Sequence, residues 1–574
     1  MINREVARIF NELADILEVK GENPFRVRAY RRAAQNIEAY PKNVAEASPK
    51  DLQEIPGIGA DLAGKIREIA ETGALQDYER LKKEVPAGFT ALLAVPGLGP
   101  RTAKRLMDEL GVGNLEDLER AAMEHRVAGL KGMGEKTEEN ILKGIGMLRK
   151  GRERKPIGRV RPLADAILRE LRHKAPVKEL AVAGSIRRWK DTIKDIDLLS
   201  TSDDPQKVMN VFVRLPQVKE VLMKGPTKSS VILEEMDIQV DLRVVEEKSL
   251  GAALAYFTGS KAHNIRLREM AAKAGLKLNE YGVFREKDDR RLGGRTEEEV
   301  YRILGLPFIP PELREDAGEI EAALKGELPR LVELGDIRGD LHVHTSRTDG
   351  SHTVEELARA AKARGYKYLA VTDHSKGLAV ARGLNENQLE EQMGEIDALN
   401  RKLRGFRVLK GVEVDIKSDN TLDLPDSLLR KLDVVVASIH SGFGQPRDKL
   451  TRRLLSAIEN PLVSIIAHPT GRLIGEREAY DVDIELVLRE AAKNGTAVEI
   501  NAYPDRLDLK DVHVKTAREA GTPIAISTDT HKEAHFDYMG YGVGVARRGW
   551  LEKKDVINTR DLKPLMAFLR KKRK

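Results

Sequence analysis

The sequence predicts a multidomain chain of mixed α/β and α+β class: helical at its N-terminal end, strand-built in the middle, and a (β/α) barrel in its C-terminal part. Three observations predict this. A hydrophobic-x-Gly-hydrophobic-Gly repeat occurs three times before residue 150, an Asp-x-Asp pair sits on an alternating strand, and His, Asp and Glu recur at strand ends after residue 340. At 574 residues the chain exceeds one hydrophobic core and suggests roughly three to five domains of ~100–200 residues. Hydrophobic residues make up 41% and charged residues 33%, and no apolar run reaches the ~18 residues of a membrane span. Residues 2–12 have neither an apolar core nor a cleavage site, so the cytoplasm is the expected compartment. The absence of cysteine excludes disulfides, thiolate catalysis and Cys-ligated zinc, so any metal must be held by His, Asp and Glu.

Lys and Arg number 98 against 91 Asp and Glu, a mild basic surplus compatible with a polyanionic partner. It is concentrated between Lys143 and Arg161 and in the tail from Arg570 to Lys574. The three repeats carry Gly57 and Gly59, Gly97 and Gly99, and Gly132 and Gly134, each opening an amphipathic helix. Two glycines permit a tight turn that exposes backbone N–H groups at the next helix start to a phosphate. The pattern resembles the helix-hairpin-helix motif, which grips DNA backbones without reading sequence. Lys65, on the helix after the first repeat, is a candidate Schiff-base nucleophile if its surroundings favour the neutral amine.

In the middle region a Gly184-Ser185-Ile-Arg187-Arg188 turn joins two apolar runs, the second beginning Asp195-Ile-Asp197. Alternation places Asp195 and Asp197 on one strand face, and Asp241, in Gln239-Val-Asp241-Leu-Arg243, can join them from a neighbouring strand. Clustered carboxylates beside a Gly-Ser-x-Arg-Arg anion site suit two-metal phosphoryl transfer. With Tyr256-Phe257-Thr258-Gly259-Ser260, these residues resemble a family X DNA polymerase, of nucleotidyltransferase fold with a mixed-sheet palm, over about residues 1–312.

The resemblance implies that Asp195, Asp197 and Asp241 hold two Mg²⁺ ions, with Asp241 as candidate base toward the primer 3′ hydroxyl. It implies that Gly184, Ser185 and Arg188 hold the triphosphate, that Tyr256, Phe257 and Gly259 line the sugar pocket, that Asn264 and Arg268 face the nascent pair, and that Lys65 is the lyase nucleophile. Lys261 and Gln239 depart from the family pattern near the nucleotide and the third carboxylate, and Phe25 and Arg26 depart from it around the 5′-phosphate pocket.

Of 12 histidines, nine follow residue 340. His342 and His344 share one strand face, and Asp349, His374, Glu413, His440, His468, Asp529 and His531 lie at or beyond the ends of later apolar runs, the arrangement of an active site at the C-terminal face of a (β/α) barrel. Six imidazoles and three carboxylates exceed one tetrahedral site and suit a cluster of two or three ions, Mn²⁺ or Zn²⁺ by donor type. This half resembles the PHP domain, a distorted (β/α) barrel, and the nine positions match its ligand set.

The resemblances imply these expectations. Residues 1–82 form a lyase-like helical domain, 83–150 a second helical DNA-binding domain, 151–247 the palm, 248–312 a nucleotide-selection subdomain, 313–336 a linker and 337–574 the PHP domain. The chain is expected to be a monomer that fills short gaps in DNA during base excision repair from deoxynucleoside triphosphates. It is expected to trim 3′ ends as a 3′–5′ exonuclease, with abasic-site cleavage or 3′-phosphate removal as further activities. The alternatives are a 3′-end phosphoesterase, or a non-catalytic DNA-end scaffold, with vestigial synthesis.

Overall fold

The computed structural model describes residues 2–572 except 21, 40–43, 46, 56, 73, 84–91, 94, 96, 97, 131 and 153. The chain divides into two compact units, residues 1–154 with 265–277, and residues 155–264 with 278–574.

The first unit is helical and has two cores. Phe10, Leu13, Leu17, Tyr30, Ile37, Ile66 and Ile69 belong to one, and Leu98, Leu106, Leu118 and Ile141 to the other. In their described residues the three glycine repeats share one hydrogen-bond pattern. Ile58, Leu98 and Met133 donate their backbone N–H to Ile55, Val95 and Leu130 at 3.0, 3.0 and 2.9 Å. Gly59, Gly99 and Gly134 then accept the first bond of the next helix from Ala63, Ala103 and Thr137. Gly57 and Gly132 take φ of +83° and +80°, a left-handed turn that side chains other than glycine resist. Gly97 lies outside the described residues. A Cβ built on Gly59, Gly99 or Gly134 meets nothing within 4 Å, so these turns present open backbone.

In the second unit a five-stranded palm sheet comprises β1 (Leu180–Val182), β2 (Asp195–Ser200), β3 (Val218–Lys224), β4 (Lys228–Leu233) and β5 (Gln239–Val244) in the order β1-β2-β5-β4-β3. Only the β2–β5 pair is parallel, which makes the sheet mixed. Ile196, Leu198, Val240 and Leu242 alternate into a core with Val160, Ile167 and Leu171 of the helix Ile157–Lys174, leaving the intervening carboxylates on the open face. The stretch 313–336, expected as a linker, is instead built into this unit. Arg314 is fully buried and donates to Glu297 Oε1 at 2.6 Å and to the Ile309 carbonyl at 2.8 Å. Glu319 pairs with His263 at 2.6 Å, and Val332 N–H donates to the Leu551 carbonyl. Charged groups that a solvated tether would expose are here held as buried partners.

The C-terminal part is a barrel of seven parallel strands paired in chain order: β6 (Gly339–Val343), β7 (Tyr368–Val371), β8 (Arg407–Asp415), β9 (Val434–Ser438), β10 (Ile465–Ile466), β11 (Ala497–Asn501) and β12 (Ile524–Ser527). Helices Val354–Ala363, Glu386–Lys402, Arg447–Glu459, Ile484–Asn494 and Asp511–Ala520 provide crossovers, as parallel pairing requires. Tyr368, Ala370, Leu409, Val434, Val436, Ile465, Ala497 and Ala525 fill the lower interior, plugged by Leu565 and Leu569 of the last helix, Leu562–Lys571. The same alternation carries Thr372, Glu413, Ser438, Glu499 and Ser527 onto that inner face nearer the C-terminal ends of the strands.

β6 and β12 are joined at both levels. Near the mouth, His344 N–H donates to the Thr530 carbonyl at 2.8 Å. Below, the buried Asn558 side chain donates to the carbonyls of Gly339 (2.9 Å) and Ile526 (2.7 Å) and accepts from Ile526 N–H (3.0 Å). Asn558→Ala leaves these buried backbone groups unpaired and is expected to cost about 2–5 kcal/mol. Urea denaturation followed by tryptophan fluorescence measures this, since Trp189 and Trp550 both lie in the second unit.

Candidate active sites in the palm and the barrel mouth

β2 and β5 bring the palm carboxylates together. Asp197 and Asp241 are register partners across the parallel pair, with Asp195 two residues earlier on the same face. Gln239 Nε2 donates to Asp241 Oδ1 at 3.0 Å and fixes that carboxylate's rotamer. Burial, then repulsion from Asp195 and Asp241, pushes the Asp197 carboxyl up to about 7. Gly184, with φ of +63°, faces it, and a Cβ there would stand 2.4 Å from Asp197 Oδ2. The turn therefore needs glycine both for its dihedral and for this approach.

Ser185 follows in the short helix Gly184–Arg187. Arg187 is bidentate to Glu297 at 3.0 and 2.5 Å. Arg188 caps that helix, donates to the Thr258 carbonyl, and pairs with Glu315 through Nε at 3.0 Å. Tyr256 and Phe257 end the helix Leu250–Thr258, where the Arg243 guanidinium lies 4.5 Å over the Phe257 ring, and Gly259 caps it at φ +68°. Asn264 Nδ2 donates to the Tyr256 carbonyl at 2.6 Å, and Arg268 lies one turn further along the helix Lys261–Lys273. Lys65 Nζ, in the other unit, donates to Tyr30 Oη at 2.7 Å and Asp61 Oδ2 at 2.9 Å. Burial opposes its charge, but these bonds outweigh it and hold the ammonium above its usual range, against the neutral amine that Schiff-base attack needs.

In the barrel mouth all nine expected ligands converge. Glu413 is the hub. One oxygen lies 2.8 Å from His374 Nδ1, 3.4 Å from His342 Nε2 and 3.6 Å from His344 Nε2. The other lies 3.0 Å from His468 Nε2 and 3.3 Å from His440 Nε2. Asp349 faces His374 and His531 at 3.4 and 3.3 Å, and Asp529 faces His344 at 3.1 Å. Three groups of ligand atoms lie within 4.8 Å of one another: His344, Asp349, His374 and His531; His342, His344 and Asp529; His374, Glu413 and His440. Among the described residues such groups occur only here, so the palm triad is wider set.

The electrostatics fit a site that could hold cations. Burial and the neighbouring His374 and His531 push His344 down to about 3, while Glu413 and Asp349 overcome burial and raise His374 to about 10. His468 falls to about 4 through burial and Arg506. Both ring nitrogens of His344, His342 Nε2, His374 Nδ1, His468 Nδ1 and Glu413 Oε2 are buried without a hydrogen-bond partner. Buried polar atoms left unpaired in this way are costly unless they ligate a metal, so the nitrogen and oxygen set fits divalent ions. Asp529 and His468 hold φ of +54° and +27°, strain typical of functional positions.

Sequence reasoning missed the groups behind the ligands. Glu499, fully buried, accepts from His342 Nδ1 at 2.8 Å and from His468 N–H at 2.8 Å. Asp415 Oδ1 lies 3.5 Å from His440 Nδ1, and Arg506 Nε lies 3.8 Å from Asp529. Asp373, one residue before His374, is held by Thr345, Thr348 and Gln392. The parity of Ala497-Val-Glu499-Ile-Asn501 was the available signal, since Glu499 shares the inward face with Ala497.

Four family models match the chain: the helix-hairpin-helix domain at 1–75, the SAM-like helix-hairpin-helix tandem at 89–146, the DNA polymerase beta thumb at 253–315 and the PHP domain at 340–503. Over 572 residues, 100% of both chains, the sequence is 42% identical to the DNA polymerase/3′-5′ exonuclease PolX of Bacillus subtilis (strain 168). It is 31% identical over 246 residues, 41% of this chain and 95% of the relative, to a probable phosphatase of Thermoanaerobacter sp. (strain X514). A probable phosphatase of Syntrophotalea carbinolica is 30% identical over 240 residues, 95% of its length. No described helix is long and apolar enough to cross a membrane.

Two measurements check the sites. Glu499→Gln is expected to weaken divalent-metal binding about 10–100-fold, the usual cost of losing the carboxylate behind a ligating imidazole, read by metal titration. Asp197 favours its protonated form in the folded state, so its contribution to stability is complete below pH 4 and is lost as pH rises through about 7. In EDTA, Asp197→Asn is expected to be more stable than the parent, by a gap that widens from pH 4 to 7 and levels off at on the order of 1–4 kcal/mol.

Proposed function

The chain belongs to the family X DNA polymerases that carry helix-hairpin-helix domains and a C-terminal PHP domain, and from that membership we propose that it both extends and trims DNA 3′ ends. In this reading the palm adds deoxynucleotides to the primer strand of gapped duplex DNA, and the barrel removes nucleotides in the 3′–5′ direction. The observation that carries it is the presence in one chain of two separate clusters of candidate ligands, the facing Asp197 and Asp241 on β2 and β5 and the imidazoles and carboxylates gathered around Glu413.

In the palm, Asp195, Asp197 and Asp241 would hold two Mg²⁺ ions, which supply charge to lower the pKa of a primer hydroxyl and to hold pyrophosphate as it leaves. Asp241, oriented by Gln239, accepts the proton of the 3′ hydroxyl. Ser185 and the N–H groups around Gly184 receive the triphosphate, and Arg188 reaches it by exchanging its bond to Glu315 for phosphate oxygens. Phe257, backed by Arg243, presents a rigid wall to the sugar. In the barrel, His342, His344, Asp349, His374, Glu413, His440, His468, Asp529 and His531 would hold Mn²⁺ or Zn²⁺, which supplies a nucleophilic water at neutral pH. Arg506 stands beside Asp529, where it can pair with a phosphate oxygen. The open turns at Gly59, Gly99 and Gly134 would grip backbone phosphates, leaving base sequence unread. Lyase chemistry is not part of the proposal, because Lys65 is held as a paired ammonium.

The relatives described as probable phosphatases favour a second reading of the barrel, removal of a 3′ phosphate from a blocked primer. A gapped duplex with either a 3′ hydroxyl or a 3′ phosphate, incubated with Mg²⁺ and then Mn²⁺, separates the readings. Asp241→Ala is expected to reduce extension to background and leave shortening intact, while His440→Ala does the reverse. Extension by Asp241→Ala overturns the palm assignment. Unaltered shortening by His440→Ala overturns the barrel assignment, and unblocking of the phosphate without shortening selects the phosphatase reading.

A further inference from the structure

Arg188, which the polymerase reading gives to the triphosphate, is held in this structure by a carboxylate that it shares with the barrel half. Its Nε donates to Glu315 Oε1 at 3.0 Å, and its Nη1 donates to the Thr258 carbonyl. The same Glu315 oxygen accepts from Arg548 Nη1 at 3.0 Å, and Lys190 Nζ stands 3.9 Å from it. Arg548 ends the helix Met539–Arg548, which packs in the barrel half. Asp511, on a crossover helix of the barrel, anchors its Nε at 2.8 Å and its Nη2 at 2.6 Å. Its Nη1 also donates to the Arg188 carbonyl at 2.7 Å. The planar guanidinium thus grips the barrel with one edge and presents Nη1 to the palm.

The neighbouring Arg187 shows the contrast between a fixed and a releasable arginine. Glu297 holds it bidentately at 3.0 and 2.5 Å, holds the fully buried Arg314 as well, and is itself closed off. Arg188 meets Glu315 through Nε, and the Glu315 side chain keeps 25% of its surface exposed. Burial works against the Glu315 charge, but Arg188, Arg548 and Lys190 together overcome it and hold the carboxyl below its usual range. Moving Arg188 to a phosphate takes one of these cations from a mostly buried carboxylate, and a buried charge stripped of its partner is strongly destabilised. With Arg548 in place Glu315 stays paired, and because both guanidinium groups compete for one oxygen, the bond to Arg188 is the weaker for it. Without Arg548 the compensation falls to the more distant Lys190.

We propose that Arg548 is a positioning residue for the palm: by keeping Glu315 paired, this arginine of the barrel half lets Arg188 leave that carboxylate for a triphosphate. Arg548 touches neither nucleotide nor metal and acts through Glu315 and Arg188. The proposal rests on the polymerase reading of the palm and adds a control of its nucleotide affinity exerted from the barrel half.

The test uses the full chain, the Arg548→Met, Arg548→Lys and Glu315→Gln variants, and the Arg548→Met/Glu315→Gln double variant. Arg548→Gln takes the place of Arg548→Met if thermal unfolding shows that the latter does not fold. In single-nucleotide gap filling with Mg²⁺, Arg548→Met is expected to raise KM for dATP roughly tenfold with kcat held within about twofold, and Arg548→Lys to restore it. Glu315→Gln is expected to move KM the other way, and Arg548→Met to add nothing once Glu315 is neutral. A second arm needs neither DNA nor nucleotide. Phenylglyoxal labelling of Arg188, mapped by peptide mass against Arg187 as internal reference, is expected to slow in Arg548→Met and to quicken in Glu315→Gln. Labelling in that order with extension absent from the parent, or with KM unmoved, supports the positioning role and sinks the polymerase reading or the assignment of Arg188 to the triphosphate. A rise in KM in both single variants, or the same rise from Arg548→Met with and without Glu315→Gln, would reduce Arg548 to packing and overturn the proposal. Unchanged labelling of Arg188 overturns it as well.

Discussion

The structure depends on one buried carboxylate. Glu413 lies in the barrel interior with five imidazoles around its two oxygens, at 2.8 to 3.6 Å. In a low-dielectric interior such a group cannot stay ionised without compensation, and neutral rings cannot all satisfy it by hydrogen bonds. The protein answers unevenly, with His374 driven toward the imidazolium, His344 and His468 kept neutral, and several ring nitrogens left without partners. Divalent ions resolve this conflict in one step, because they accept the orphaned lone pairs and supply the missing charge. Around that point the barrel is arranged in layers: apolar side chains and the terminal helix below, ligands in the middle, Glu499 and Asp415 holding the rings from behind.

The palm is organised by a weaker form of the same constraint. Its three carboxylates stand on an open sheet face, wider set than the barrel ligands, and the strain shows mainly in the raised Asp197. A looser site suits ions that arrive with a triphosphate and leave with pyrophosphate, whereas a closed nest suits ions that stay. Palm and barrel nevertheless share one continuous hydrophobic core within their unit. A chain of ion pairs crosses between them. Arg548 of the barrel half donates to Glu315 at 3.0 Å, to the Arg188 carbonyl at 2.7 Å and to Asp511 at 2.6 Å, and Glu315 in turn holds Arg188. Arg188, proposed to meet the triphosphate, is therefore held partly by the barrel half.

Much of this was legible in the sequence because alternation along a strand is a local rule. Asp195 and Asp197, His342 and His344, and the apolar runs before each later ligand announced their faces by parity alone. The glycine repeats were legible for a similar reason, since a left-handed turn leaves little choice of residue. What stayed hidden depends on partners far apart in the chain. Glu499 reads as one more polar residue on a buried strand until His342 is seen against it, and Asn558 gives no hint that it closes the barrel. The 313–336 stretch read as a linker because Pro307, Pro310 and Pro311 lead into a mostly acidic helical run, while Arg314 and Glu319 in fact find buried partners in Glu297 and His263. The state of Lys65 was likewise set by Tyr30, which sequence spacing could not place beside it.

The central claim is that the imidazoles and carboxylates around Glu413 exist to hold divalent ions. Anomalous diffraction at the manganese edge from crystals grown with Mn²⁺ tests it most directly. The account predicts two or three peaks in the barrel mouth, within about 2.0–2.3 Å of ring nitrogens and carboxylate oxygens of the nine ligands. A mouth without anomalous signal, its rings joined only to one another and to water, would contradict it.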